Sequence, residues 1–101
     1  MNSANLDIFK APPRIIAANR EQFRKASLGF IEDAVRRGVP ILSLDMQDTE
    51  EVDASGLGLL VNMQKRADEL GVTLELVRVP RHIRHLLVLT RLEHLFVIVE
   101  E

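Results

Sequence analysis

Short apolar runs alternate along this sequence with longer amphipathic segments, and that alternation limits the fold more than any other feature. Leu6, Ile8 and Ala11 alternate with polar residues until Pro12-Pro13 ends the run, and Arg14-Ile15-Ile16 carries it on beyond the prolines. PILSLD, 40 to 45, has the apolar density of a buried, parallel strand. VTLELVRV, 72 to 79, alternates cleanly and is β-branched at both ends, with Pro80 to stop it. LFVIV, 95 to 99, predicts a last strand. Between the strands, Phe23, Ser27, Phe30, Ile31 and Ala34 recur at helical spacing from Asn19 to Arg37. Asn19 and Gln22 predict an N-cap and its capping-box partner, and Gly38 after Arg36-Arg37 predicts the stop. A second helix is expected from Ser55 to Leu70, ended by Gly71, and a third from Arg81 to Leu89. Gln47 to Glu51 reads as a polar loop and Thr90 to His94 as a short connection. Helical crossovers between consecutive strands require mainly parallel pairing with right-handed connections, so the class is α/β.

With 101 residues the chain is expected to be one domain, 1–101. Charges interrupt the apolar stretches every few residues, so no segment reads as a bilayer span. MNSANLDIFK lacks the apolar core of a secretion signal, and the chain has no cysteine, so a cytoplasmic protein is expected. The net charge of -2 and the absence of Trp and Tyr argue against nucleic-acid binding. Disulfides, thiol catalysis and cysteine metal sites are excluded.

The stretch VDASGLGLL, 52 to 60, carries the chemistry. Ser55 falls where a strand-to-loop passage enters a helix. It can serve simply as the N-cap, its oxygen accepting an orphan backbone N–H. Gly56 and Gly58 strip side chains from the first turn, which lets another molecule approach the backbone, at a cost of about 0.5–1 kcal/mol each relative to alanine. A phosphoryl group on Ser55 would meet free N–H groups and the positive end of the helix dipole. The approach to it is acidic, through Asp45, Asp48, Glu50, Glu51 and Asp53, so added negative charge would also be repelled. Asp48, Glu50 and Glu51 read as a solvated loop. Asp45 and Asp53 each end an apolar segment and are expected to face the same loop.

Catalysis fits poorly. The hydrolase elbow needs glycine two residues before the serine, where Asp53 stands, and no base is positioned by the sequence. The phosphate-loop motif is missing as well. His82 and His85 have a weak metal-like spacing without an adjacent acid, so no metal site or cofactor is expected. On the second helix, Leu59, Leu60, Met63, Ala67 and Leu70 share one face, and Leu57 with Val61 widen it to an arc of roughly 200°, against the roughly 100° a core-facing helix needs. Gln64 and Asp68 interrupt the widened edge. It is either packed by the domain itself or open to a partner beside Ser55. Arg78, Arg81, Arg84 and Arg91, with Arg14 earlier, make the C-terminal third basic, either as a solvated face or as a complement to an acidic surface.

Taken together, PILSLD, VDASGLGLLVNMQKRADELGVTLELV and HIRHLLVLTRLEHLFVIVE resemble the STAS domain of bacterial anti-sigma factor antagonists over nearly the whole chain. The resemblance implies a small, mixed but mainly parallel sheet with helices packed on one side, and no enzymatic activity. It puts Ser55 at the place of the serine phosphorylated by a partner kinase, an anti-sigma factor of the histidine-kinase-like ATPase class. A serine phosphatase would reverse the modification. Asp45, Asp53, Ala54, Gly56, Leu57, Gly58, Val61 and Gln64 would form the phosphate loop and partner surface. Ala54 replaces the first serine of the family's loop, Ile16 an acidic residue, and Arg91 a residue that is often glycine. A second implied role is a structural subunit of a signalling scaffold or a phospholipid-transport complex, without a phosphate cycle. A monomer or weak dimer is expected.

Overall fold

The computed structural model describes residues 6–99. Four parallel strands, β1 (Leu6–Lys10), β3 (Ile41–Asp45), β5 (Thr73–Val77) and β6 (Val97–Ile98), form a sheet in the order β1-β3-β5-β6. A second parallel pair joins β2 (Arg14–Ile15) to β4 (Glu51–Val52). The helices are α1 (Arg20–Arg36), α2 (Ala54–Glu69) and α3 (Arg81–Leu89). Every pairing among the described residues is parallel, as helical crossovers between neighbouring strands dictate.

Strand alternation divides the sheet into two faces. Phe9, Leu42, Leu44, Leu74, Leu76 and Ile98 share the face that the helices cover. Against it pack Phe23 and Ile31 of α1, Leu59, Leu60 and Met63 of α2, and Ile83 and Leu87 of α3. Burying each such side chain contributes about 1.5–3 kcal/mol. Phe9 stacks on both Phe23 and Phe30, which fixes α1 over the β1 edge. The other face carries Ile8, Ser43, Glu75 and Val97 in one register row; Ile8 is 63% exposed. The helices thus lie on one side, as the resemblance implies.

Gly38 (φ 75°) and Gly71 (φ 78°) end α1 and α2 in the left-handed conformation that the sequence predicts for them. Three expectations need correction. Asn19 precedes α1 but does not cap it; its side-chain oxygen accepts from the Ile16 N–H at 3.0 Å and its amide donates to the Arg14 carbonyl at 2.6 Å. Those bonds tie the side chain back to the preceding turn, so no capping box with Gln22 forms. VTLELVRV is strand only to Val77, because Arg78 turns left-handed (φ 52°). The last strand shrinks to Val97–Ile98, preceded by a 3-10 turn at Glu93–Leu95.

Candidate functional site

The segment 46–53 delivers the chain from β3 to α2, and its own hydrogen bonds explain its path. Thr49, 1% exposed, donates its hydroxyl to the Pro12 carbonyl at 2.9 Å. The N–H groups of Glu50 and Glu51 donate to the Pro13 carbonyl, and the Asp53 N–H donates to the Ile15 carbonyl. The expected polar loop is therefore anchored at Thr49 and ends in strand β4, while Gln47, Asp48 and Glu50 stay exposed.

The helix begins one residue earlier than the sequence predicts, and its cap is not Ser55. Asp53 holds the N-cap position: one carboxylate oxygen accepts the Gly56 N–H at 2.8 Å and the other accepts the Ala17 N–H at 3.0 Å. Asp53 therefore caps α2 and ties it to the turn before α1. The Ala17 N–H, then the Gly56 N–H, holds its carboxyl below the usual aspartate range; desolvation opposes this and the Ser55 N–H adds to it. Ser55 lies in the first turn, half-buried, and its hydroxyl makes no hydrogen bond among the described residues. The capping role open to it in the sequence is already filled.

Gly56 is buried for an internal reason. A β-carbon there would overlap the Ile15 carbonyl oxygen, lie 2.8 Å from the carbonyl carbon and 3.0 Å from Val52 Cγ1. Its bareness admits the chain's own strand β2. At Gly58, by contrast, a β-carbon would meet nothing within 4 Å, and the residue is exposed beside exposed Ala54. Leu57 and Val61 are half-buried against the core, so the widened apolar arc of α2 is partly packed by the chain itself. Gln64 donates to Asp68 at 3.1 Å, while its side-chain oxygen is enclosed without a donor among the described residues.

Asp45 has a different occupation. It is 5% exposed at the end of β3 and is held by the Arg78 guanidinium, whose Nε donates to it at 3.2 Å and whose Nη2 makes a second bond. It also accepts the Gln47 N–H at 3.0 Å. The bond to Arg78, opposed by burial and aided by Gln47, lowers its pKa from the ordinary value. Two more acids of this approach have cationic partners: Lys10 pairs with Asp48 at 3.0 Å and Arg14 with Glu51 at 3.5 Å. His82 contacts the Glu50 carbonyl at 2.8 Å. Sequence reading did not pair these groups, because each partnership spans more than thirty residues. No group of three or more metal-ligating side chains occurs among the described residues, and no helix among them is long and apolar enough to cross a membrane.

What this arrangement can do is present an unengaged hydroxyl on the first turn of a rigidly capped helix, next to one ionised carboxylate and two glycines of opposite function. Residues 14–100 match the family described as "Mlab, STAS domain". Among solved structures, a Thermotoga maritima protein, TM1081, assigned to the anti-sigma factor antagonists is 23% identical, with a TM-score of 0.74 over 93% of this chain and 80% of that one. A sulfate transporter family protein from Wolinella succinogenes is 17% identical, with a TM-score of 0.71 over 93% and 76%. The Bacillus cell fate determinant SpoIIAA in its phosphorylated form is 16% identical, with a TM-score of 0.63 over 100% and 88%. At these identities the likeness is one of fold. No curated protein sequence matches significantly.

Proposed function

The chain belongs to the STAS domain family, in the group described as "Mlab, STAS domain", and from that membership we propose that it is a phosphorylation-switched antagonist of an anti-sigma factor. The observation that carries the reading is the idle Ser55 hydroxyl: Asp53 does the capping, so the fold has no use for a serine there. In the unphosphorylated state the start of α2, with Ala54, Leu57, Gly58 and Val61 around Ser55, docks an anti-sigma factor that is itself a serine kinase of the histidine-kinase-like ATPase class. The kinase transfers the γ-phosphoryl group of ATP to Ser55 Oγ. The new O–P bond forms, the bond to ADP breaks, and the hydroxyl proton leaves to the kinase's base or to solvent. Phosphoserine adds about -1.5 to -2 charge at neutral pH. The helix dipole tolerates it at this position, but the nearby Asp53 carboxylate repels it. The fold survives while the docking surface becomes anionic and hydrated, and the complex separates. A serine phosphatase restores the hydroxyl. The chain acts by binding rather than as an enzyme.

A second reading is a structural STAS subunit that holds an assembly without a phosphate cycle, and the likeness in fold to a sulfate transporter family protein supports it. Binding of the purified protein to the histidine-kinase-like ATPases of its own genome, measured by calorimetry, separates the two. The switch predicts that Ser55→Ala binds like the wild type and that Ser55→Asp loses at least about tenfold in affinity with an unchanged melting temperature. Equal binding by all three favours the structural subunit.

A further inference from the structure

Five of the six large apolar side chains exposed among the described residues fall between positions 88 and 99: Val88, Leu89, Leu95, Val97 and Val99. Leu89 is 69% exposed, and Val97 is 46% exposed on a strand whose outer edge has no neighbour among the described residues. These side chains belong to α3, the turns after it and the β6 segment, with Val97 on the sheet face that the helices leave bare, and this part of the chain is rich in cations. Residues 78–95 hold four arginines and all three histidines against one acid, Glu93, in a chain whose net charge is -2. Arg81, His85 and Leu89 follow one another at i, i+4 along the exposed side of α3. Among the described residues, neither Arg81 nor Arg91 makes a side-chain hydrogen bond or ion pair. Neither the core nor the start of α2 uses this corner.

We propose that the corner formed by α3 and β6 is a second docking surface, which takes an extended, acidic and apolar segment of a partner protein as an added strand on β6. The open edge supplies backbone donors and acceptors, Val97 supplies apolar contact on the bare face of the sheet, and Arg81 and Arg91 receive carboxylates from the segment's other side. Two features select a peptide over a membrane surface. A bilayer offers no partners for an open strand edge. All the cations of the corner's lysine-free segment are arginines or histidines, and the guanidinium fork matches carboxylates bidentately. A second copy of the chain fits less well, because a twofold pairing of β6 would bring two identical cationic corners together. The inference is independent of what happens at Ser55.

The test uses the full chain and a fluorescein-labelled peptide, Glu-Val-Glu-Val-Glu-Val-Glu, with a peptide of the same length carrying lysine in place of glutamate as control. Anisotropy reads affinity, and amide NMR shifts locate the contact. The acidic peptide is expected to bind and the basic one not, with shifts at Val97–Val99 and weakening by added salt. Val97→Lys is expected to weaken binding about tenfold and Arg91→Gly severalfold. Arg91 sits at φ 61°, where glycine is unstrained, so loss of binding in that variant cannot be assigned to unfolding. Equal binding of both peptides, or no amide shift on β6 at millimolar peptide, overturns the proposal. So does sedimentation of the chain with phosphatidylglycerol vesicles in the absence of peptide binding, which would make lipid the occupant. A dimer abolished by Val97→Lys overturns it in favour of a second copy.

Discussion

The carbonyl oxygen of Ile15 occupies the place where a β-carbon on Gly56 would fall. Strand β2 is thereby locked to the first turn of α2, backbone against backbone, and the Asp53 N–H donates to that same carbonyl. Substituting Gly56→Ala must displace one backbone or the other. We expect a loss of at least about 2 kcal/mol, in the range of strained or overpacked core positions. Gly58→Ala meets open space within the same helix and is expected to stabilise by about 0.5–1 kcal/mol. Urea denaturation of the two variants checks the contrast, and equal effects would mean that the Ile15 contact is not what requires glycine.

The division of labour between Asp53 and Ser55 predicts a second contrast. Asp53→Ala removes the cap of α2 and its tie to Ala17, and should lower the melting temperature by roughly 5 °C. Ser55→Ala removes a hydroxyl with no bond and should leave it within about 2 °C. Thermal unfolding followed by circular dichroism decides this, and a larger loss for Ser55→Ala would return the capping role to the serine.

Acid stability follows from the two aspartates. Asp45 and Asp53 both have folded-state values lowered from the ordinary one, by Arg78 in one case and by backbone N–H groups in the other. Groups of that sign contribute stability that is complete above their unfolded-state pKa and is lost as pH falls through the lowered folded-state value. The chain should therefore lose stability as the pH falls through and below the ordinary aspartate range, and Asp45→Asn should flatten that loss. At neutral pH the same variant should cost about 1–2 kcal/mol, because Arg78 keeps a weaker partner. Unfolding free energies measured across the acid range check both, and an unchanged acid limb in Asp45→Asn would remove this pair from the explanation.

Arg78 and Arg91 share a left-handed backbone but not a role. Arg78 (φ 52°) holds Asp45, so Arg78→Gly trades relieved strain for a lost ion pair and should destabilise. Arg91 (φ 61°) has no such bond among the described residues, and Arg91→Gly should stabilise by about 1 kcal/mol. Opposite shifts in melting temperature are expected, and shifts of the same sign would contradict the assignment.

The long periodic segments were legible in the sequence. The spacing of Phe23, Ile31 and Ala34 marks α1, and Gly38 and Gly71 mark the helix ends, because helical periodicity and left-handed stops are local properties. Strand β2 falls within Arg14-Ile15-Ile16, which the sequence reads as strand, but β4 and its pairing escape such reading: two residues carry no alternation, and the pairing depends on bonds between Pro13, Ile15 and residues 37–38 positions later. Asp53 and Ser55 are both good caps, and only the path of the Ala17 turn selects the aspartate. The close approach inferred from the glycines is real at Gly56, but the approaching group is the chain's own strand.

The central claim is that Ser55 is a modification site rather than a structural residue. Intact-mass and site-mapping analysis of the protein recovered from its own cells, with phosphatases inhibited and Ser55→Ala as control, tests it most directly. A fraction heavier by one phosphoryl group, mapped to Ser55 and absent from the variant, is the predicted result. Absence of phosphorylation at Ser55 across growth and stress conditions would contradict the switch and leave the structural-subunit reading.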